Sequence, residues 1–304
     1  GKCLESLIAQ DHPAEDHIIL VLDGGSSDNS KSEIEQAITH SQQINGPKIE
    51  LIDNPGRHVS SARNLALSLV PHSVTHLVEL IGHCIVPNDH ISTRMKSWQK
   101  YELQAKENNS TSLGALGVKV LSREGVLGIF ESWVEGALSS PLGSGGGQFD
   151  NFSSPGKTRI PAFATHLRSA VQEVGGWDDD FISCQDSDLS MRMIEKGYCL
   201  MRCPETTVSM AKRTSVTRWW KMGHRYGFWR TKTVLRHPKR ISLREYAPWF
   251  GLVFSAVLFA LSSDYWEIPV VLYGVVLMVE ALRSSISNRR ISLLIGIPIC
   301  LFML

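Results

Sequence analysis

One stretch constrains the fold more than any other: residues 17–30, HIILVLDGGSSDNS, pass from apolar to polar within a few residues. Residues 17–22 have the β-branched and leucine content, the shortness and the lack of polar alternation expected of a strand buried on both faces. Asp23 then stands at the carboxyl end of that strand, the edge at which open α/β sheets bind ligands. Gly24 and Gly25 let the backbone turn sharply and come close to a ligand. Ser26, Ser27 and Asp28 are candidate caps for a polar helix through Ile34 and Ile38. An ordinary strand-to-helix turn with a capping aspartate fits the same residues, and the rest of the chain has to separate the two readings.

The same grammar recurs. Residues 49–52 read as a strand ending at Asp53, Asn54, Pro55 and Gly56 punctuate a turn, and Ser60 and Ser61 can cap a helix through Leu65, Leu67 and Leu69. Residues 74–81 read as a strand broken at Gly82, after which Pro87 and Asn88 open a helix through Met95, Trp98 and Tyr101. Strands are expected over 114–120 and 159–166, a turn over 174–180, and a helix over 186–196 stopped by Gly197. Strand, turn and helix in alternation predict an α/β fold with a doubly wound, mostly parallel sheet. Residues 142–152 contain GSGGGQFDN, too small and polar to pack, and read as a flexible connection rather than a phosphate cradle.

Net charge hides an asymmetry. Residues 1–211 carry 17 Lys and Arg against 26 Asp and Glu, a charge of −9, whereas residues 212–244 carry 11 Lys and Arg and no acid. A basic stripe beside apolar segments suits anionic lipid headgroups, and with no nucleic-acid-binding motif beside it a nucleic-acid partner is not expected. Residues 246–263 are eighteen uncharged residues, enough to span a core of roughly 30 Å. Residues 268–279 are twelve before Glu280, short enough to be re-entrant, and 291–304 are fourteen. Trp249, Tyr265 and Trp266 suit interfacial anchors, and the basic, acidic and basic order of the flanks predicts a multi-pass membrane protein whose N-terminal domain is cytoplasmic. The apolar bundle of a soluble protein is the alternative. Within 216–236, basic residues alternate with Trp219, Trp220, Phe228 and Trp229, the composition of a helix lying in the headgroup region. The six cysteines form no CxxC pair and are expected to be reduced thiols. The absence of an initial Met and the end inside an apolar run suggest a piece of a longer chain.

The pieces CLESLIAQDHP, VLDGGSSDNS, NPGRHVSSARNLAL, LVELIGHCIVPND and VGGWDDDFISCQDSDLSMRMIEKGY, followed by a basic segment and hydrophobic helices, together resemble the family 2 glycosyltransferases of the GT-A fold. The resemblance is to the bacterial membrane-associated enzymes that build exopolysaccharide, such as the succinoglycan glycosyltransferases. It implies a GT-A domain over 1–211, a basic interfacial segment over 212–245 and two to three transmembrane helices over 246–304. It also implies a strand preceding residue 1 that would complete the nucleotide base pocket.

The implied chemistry is transfer of a sugar from a nucleotide diphosphate sugar, a uridine diphosphate sugar first among them, to a lipid-linked or polysaccharide acceptor with inversion. Asp23 and Gly24 would meet the nucleotide, and Arg63 would face the diphosphate or pair with Asp23 or Asp53. The family's Asp-x-Asp or Asp-x-His metal element falls on Ile81-Gly82-His83. That leaves His83 as the metal ligand for Mn2+ or Mg2+, with Glu79 the one neighbour able to compensate. Asp186 takes the position of the catalytic base, although a helix N-cap is open to it, with Gln185 and Asp188 as supporting residues. Trp177 would stack on an acceptor sugar or sit buried under the sheet, and Arg225 in the basic stretch would cover the diphosphate. The Gln-x-x-Arg-Trp motif of the processive members is missing, which implies addition of one sugar. A catalytically impaired relative that binds nucleotide sugar or glycan is the competing reading, motivated by Ile81.

Overall fold

The computed structural model describes residues 1–109, 111–143, 149 and 152–303, and the expected flexible connection within 142–152 falls largely outside them. In chain order the elements are α1 (Lys2–Ile8), β1 (Ile18–Asp23), α2 (Ser30–Gln43), β2 (Lys48–Asp53), α3 (Val59–Leu69), β3 (His76–Val78), β4 (Cys84–Ile85), α4 (His90–Asn109), β5 (Leu113–Ser122) and α5 (Ile129–Ser139). They continue as β6 (Gly156–Lys157), β7 (Thr165–Leu167), α6 (Arg168–Glu173), α7 (Gln185–Glu195), β8 (Cys199–Met210), α8 (Val216–Arg236), α9 (Leu243–Ala260), α10 (Ile268–Asn288) and α11 (Leu293–Phe302). The chain divides into two compact units, Gly1–Arg123 with Phe152–Ala211, and Glu124–Asn151 with Lys212–Leu304.

The first unit is α/β, but its sheet is mixed rather than mostly parallel. β1 and β2 pair in parallel from Ile18↔Lys48 to Asp23↔Asp53. A second sheet has the order β3-β7-β5-β8-β4, with β6 alongside β8. There only β5 and β8 run parallel, and β7 is antiparallel to both its neighbours. The short β7 replaces the strand expected over 159–166. Pro161 has no N–H to give a ladder, Phe163 is left-handed at φ 45°, and regular pairing starts only at Thr165. The bare Cα of Gly117 receives this irregular segment, since a Cβ there would stand 2.7 Å from the Pro161 Cα.

Packing occurs on both faces of this second sheet. Trp98 and Tyr101 of α4 are buried with Leu113, Leu116, Val118 and Val208 of β5 and β8 in one cluster. Ala115, Ala170, Val171, Leu189, Met193 and Leu200 enclose Trp177 in another. In the first βα turn, Asp28 accepts a hydrogen bond from the Ser30 N–H at 3.0 Å as α2 begins. α3 starts at Val59, ahead of the serines expected to cap it. Ser61 instead donates to the His58 carbonyl at 2.9 Å and to Asn54 Oδ1 at 3.2 Å, tying the helix to the turn before it.

The second unit is helical. Trp219 of α8 is fully buried among Val134 and Ala137 of α5, Ala281 of α10, and Leu293, Ile297 and Cys300 of α11, and its indole N–H donates to the Cys300 carbonyl at 3.1 Å. Gly296 of α11 faces the Trp133 ring so closely that a Cβ would lie 2.1 Å from it. Of the two to three membrane spans expected, one helix among the described residues, α10, is long and apolar enough to cross a bilayer, and it is the segment expected to be short. It continues through Glu280 because Arg283 one turn on binds both carboxylate oxygens at 2.6 and 2.8 Å, with Ser284 adding a bond at 3.2 Å. Among the described residues, Glu245–Ala260 of α9 and the ten-residue α11 are shorter apolar helices, and α11 packs one face on α5.

Candidate active site

The loop after β1 is closed on itself. Asp23 is 6% exposed. One of its oxygens accepts from the Ser26 hydroxyl at 2.5 Å and from the Ser26 N–H at 3.1 Å, and the other from the N–H groups of Gly25 and Ser26 at 3.2 and 3.1 Å. Lys31 stands 3.5 Å from Asp23 and 3.1 Å from Asp53. The Ser26 hydroxyl, with the backbone N–H groups and Lys31, holds the Asp23 carboxyl below the usual aspartate value. Asp23 thus shapes the loop that the sequence assigns to a nucleotide. A Cβ at Gly24 would meet the Arg57 backbone at 3.4 to 3.5 Å, and Gly25 takes a φ of 93°. The Gly24 distance is ordinary contact, so it is Gly25, with its left-handed turn, whose conformation calls for glycine.

A second cluster lies where α3, the end of β3, β7 and the start of α7 meet. Arg63, in the second turn of α3, donates to Glu79 at 2.6 Å and to Asp186 through its other terminal nitrogen. It thus pairs with neither Asp23 nor Asp53, the two carboxylates that sequence neighbourhood offered. The same guanidinium stands 5.6 Å from the centre of the Trp177 ring. Glu79 follows β3, whose Leu77 is paired with His166 of β7, and the His166 Nε2 comes within 2.9 Å of the remaining Glu79 oxygen. Burial alone would raise the Glu79 carboxyl; Arg63 and His166 more than offset it, and the net direction is down.

Asp186 is the second residue of α7, two after Cys184, whose left-handed backbone at φ 60° turns the chain sharply into the helix. It does not cap the helix; its carboxylate goes to Arg63, with the side chain 47% exposed against 13% for Glu79. Removal from bulk water by the surrounding protein raises the Asp186 carboxyl above the ordinary aspartate value, and Arg63 pulls against that rise. Asp188 is fully buried and receives Arg192 at 2.8 and 2.9 Å. Arg192 in turn donates to the carbonyls of Val174 and Gly176 at 2.5 and 2.8 Å, so Asp188 holds the turn that leads into Trp177.

Trp177 is 3% exposed and packed in the core, the buried one of the two placements that the sequence left open. Asn64 grips its backbone from both sides, donating to the carbonyl at 2.7 Å and accepting from the N–H at 2.9 Å. Gln185 is buried beside Asp186. Arg225 lies on α8 in the second unit. His166 was missed in the sequence, as was a buried pair beneath it. Arg94 donates to His90 at 2.7 Å and to Thr165 at 2.9 Å, and burial together with Arg94 drives His90 down to about 2. No motif marks a lone histidine on a three-residue strand; only the strand pairing brings it to Glu79.

The donor set does not fit a hard divalent cation. Ile81 packs into the apolar core, His83 stands in an exposed turn, and one Glu79 oxygen is held by Arg63 while the other lies 2.9 Å from His166 Nε2 without a hydrogen bond. Among the described residues, no three His, Cys, Asp or Glu side chains converge as a metal would require.

Residues 1–104 match the family model of Glycosyl transferase family 2. A succinoglycan biosynthesis protein, ExoA, of Rhizobium meliloti (strain 1021) is 23% identical over 230 residues, covering 76% of this chain and 64% of the relative's own length. A dolichyl N-acetyl-alpha-D-glucosaminyl phosphate 3-beta-D-2,3-diacetamido-2,3-dideoxy-beta-D-glucuronosyltransferase of Methanococcus voltae is 23% identical over 306 residues, covering 99% of this chain and 88% of that one. Among solved structures, the mannosyltransferase PcManGT of Pyrobaculum calidifontis, in complex with GDP-Man and Mn2+, superposes with a TM-score of 0.54 at 14% identity. That match covers 97% of this chain and 81% of the other, and it speaks for the GT-A-like fold alone. Residues 1–104 thus resemble the family 2 glycosyltransferases in sequence, and the GT-A-like fold of the chain agrees with that resemblance.

Proposed function

We propose that this protein moves a sugar from a nucleotide diphosphate sugar, a uridine diphosphate sugar first among the candidates, to a lipid-linked or polysaccharide acceptor. Transfer proceeds in a single displacement with inversion at the anomeric carbon, and one sugar is added per acceptor. Asp186 takes the acceptor proton, Arg63 faces the donor's diphosphate, and the loop of Asp23 and Gly24 meets the nucleoside. One observation carries the reading: three separated sequence blocks, SSARN, LVEL and QDSD, deliver Arg63, Glu79 and Asp186 into one ion-paired cluster. The two sequence relatives support the acceptor class, one a succinoglycan biosynthesis protein and the other named for a dolichyl phosphate-linked sugar.

The reaction takes place at a membrane, with α10 crossing the bilayer and the first unit on the cytoplasmic side. α10 has the length and hydropathy, and α8 presents exposed Trp220 and Phe228 among basic residues. The mixture suits a helix lying among anionic lipid headgroups.

Asp186→Asn tests the chemistry. With the base removed, transfer to a lipid-linked acceptor falls by about 10²- to 10⁴-fold while UDP or GDP binding persists. Transfer that survives unchanged would overturn the assignment of the base. Ile81 in place of the metal-motif aspartate motivates the second reading, a nucleotide-sugar or glycan binder without turnover. Donor binding in the parent protein with no transfer to any acceptor would select it.

A further inference from the structure

We infer that the donor site works without a divalent cation, the positive charge for a nucleoside diphosphate coming from Arg63, which an arriving diphosphate draws away from Asp186. The inference rests on the transferase reading above and adds what binds the leaving group and how the base is released. The guanidinium of Arg63 already stands between two carboxylates, Glu79 and Asp186, as a bridging cation would. A divalent ion could reach the Glu79 oxygen that Arg63 holds only by displacing the guanidinium. Its planar fork offers five N–H donors in fixed geometry and stays charged at any working pH, the form of cation suited to phosphate oxygens.

The two carboxylates are not equivalent. Glu79 is sunk in the fold at 13% exposure with His166 on its second oxygen, and serves as the anchor. Asp186 is nearly half exposed and is the partner that a solvent-borne anion can replace. The Ile81-Gly82-His83 turn is pinned away from any ligand role for Ile81. The Ile81 carbonyl accepts from the Cys84 N–H at 3.1 Å and from the Cys3 thiol at 3.5 Å, and its side chain lies in the core. Diphosphate and Asp186 therefore compete for the same guanidinium nitrogen, and donor arrival leaves Asp186 free to accept a proton.

Calorimetric titration of the full chain in detergent with UDP and with GDP, in EDTA and in Mn2+, tests this. At least one diphosphate is expected to bind with the same Kd in both media. Arg63→Lys, which keeps the charge but loses the fork, is expected to weaken it about tenfold or more. Asp186→Asn, which removes the competitor, is expected to tighten it roughly threefold or more. The second variant decides the matter should the first fail to fold. Binding that requires Mn2+, an unchanged Kd in Arg63→Lys, or weaker binding in Asp186→Asn overturns the inference and leaves the transferase reading standing. No binding of either diphosphate under any condition overturns both.

Discussion

On the proposed reading Asp186 is the base, a group that has to stay reachable while it is held in place, and the unequal exposure of Glu79 and Asp186 on one guanidinium is suited to both needs. Because its surroundings raise the Asp186 carboxyl above the ordinary 3.8, the group is protonated at a higher pH than a free aspartate. The sign follows: transfer is lost as pH falls through that raised value, so the acid limb of the rate profile lies above the free-aspartate range, and it disappears in whatever residual rate Asp186→Asn retains. A pH profile of transfer reads this directly, and a limb at or below the free-aspartate value would contradict it. Trp177 gives a second expectation at this scale. As a core side chain it contributes stability before it contributes recognition, and Trp177→Ala is expected to cost about 3–5 kcal/mol, seen as a lowered Tm. An unchanged Tm with weakened acceptor binding would restore the stacking role.

At the scale of elements, the βα turns were legible because their punctuation is local: glycines at 24 and 25, Asn54-Pro55-Gly56, Gly197. The β8 strand was not, since Pro204 and Glu205 interrupt its pattern. The ladder with β5 absorbs them by a shift of register, Val118 opposite Cys203 but Lys119 opposite Thr207. α10 was cut short in the reading because Glu280 looked like an end; Arg283 and Ser284 supply within the helix what solvent would otherwise supply. The site followed the same division. Arg63 and Asp186 sit in recognisable strings, whereas His166 reaches Glu79 only through strand pairing with β3, a long-range fact. Helix packing also carries a prediction. Gly296→Val would drive a side chain into the Trp133 ring, and a drop in thermal stability of the full chain is expected, at about 1–3 kcal/mol for an overpacked contact. Retention of the parent Tm would show that the α5 and α11 contact is dispensable.

For the whole molecule, the expectation concerns the bilayer. If α10 spans it, Met278→Arg, exposed at the centre of that helix, places a charge in hydrocarbon at about 2.5–3.5 kcal/mol. The fraction of protein resisting carbonate extraction from membranes should fall sharply; equal retention of parent and variant would argue against a span.

The two compact units are interleaved along the chain rather than placed end to end, for the stretch Glu124–Asn151 leaves the α/β unit and returns to it at Phe152. A stop codon after residue 211 would therefore not liberate a self-contained α/β unit. It would leave α5 with the apolar face of Val134, Ala137 and Leu138 stripped of the helices that cover it, a sticky flap on an otherwise finished fold. A soluble version has to remove or re-surface that excursion as well, and recombination between relatives of this architecture must exchange both segments of the helical unit together.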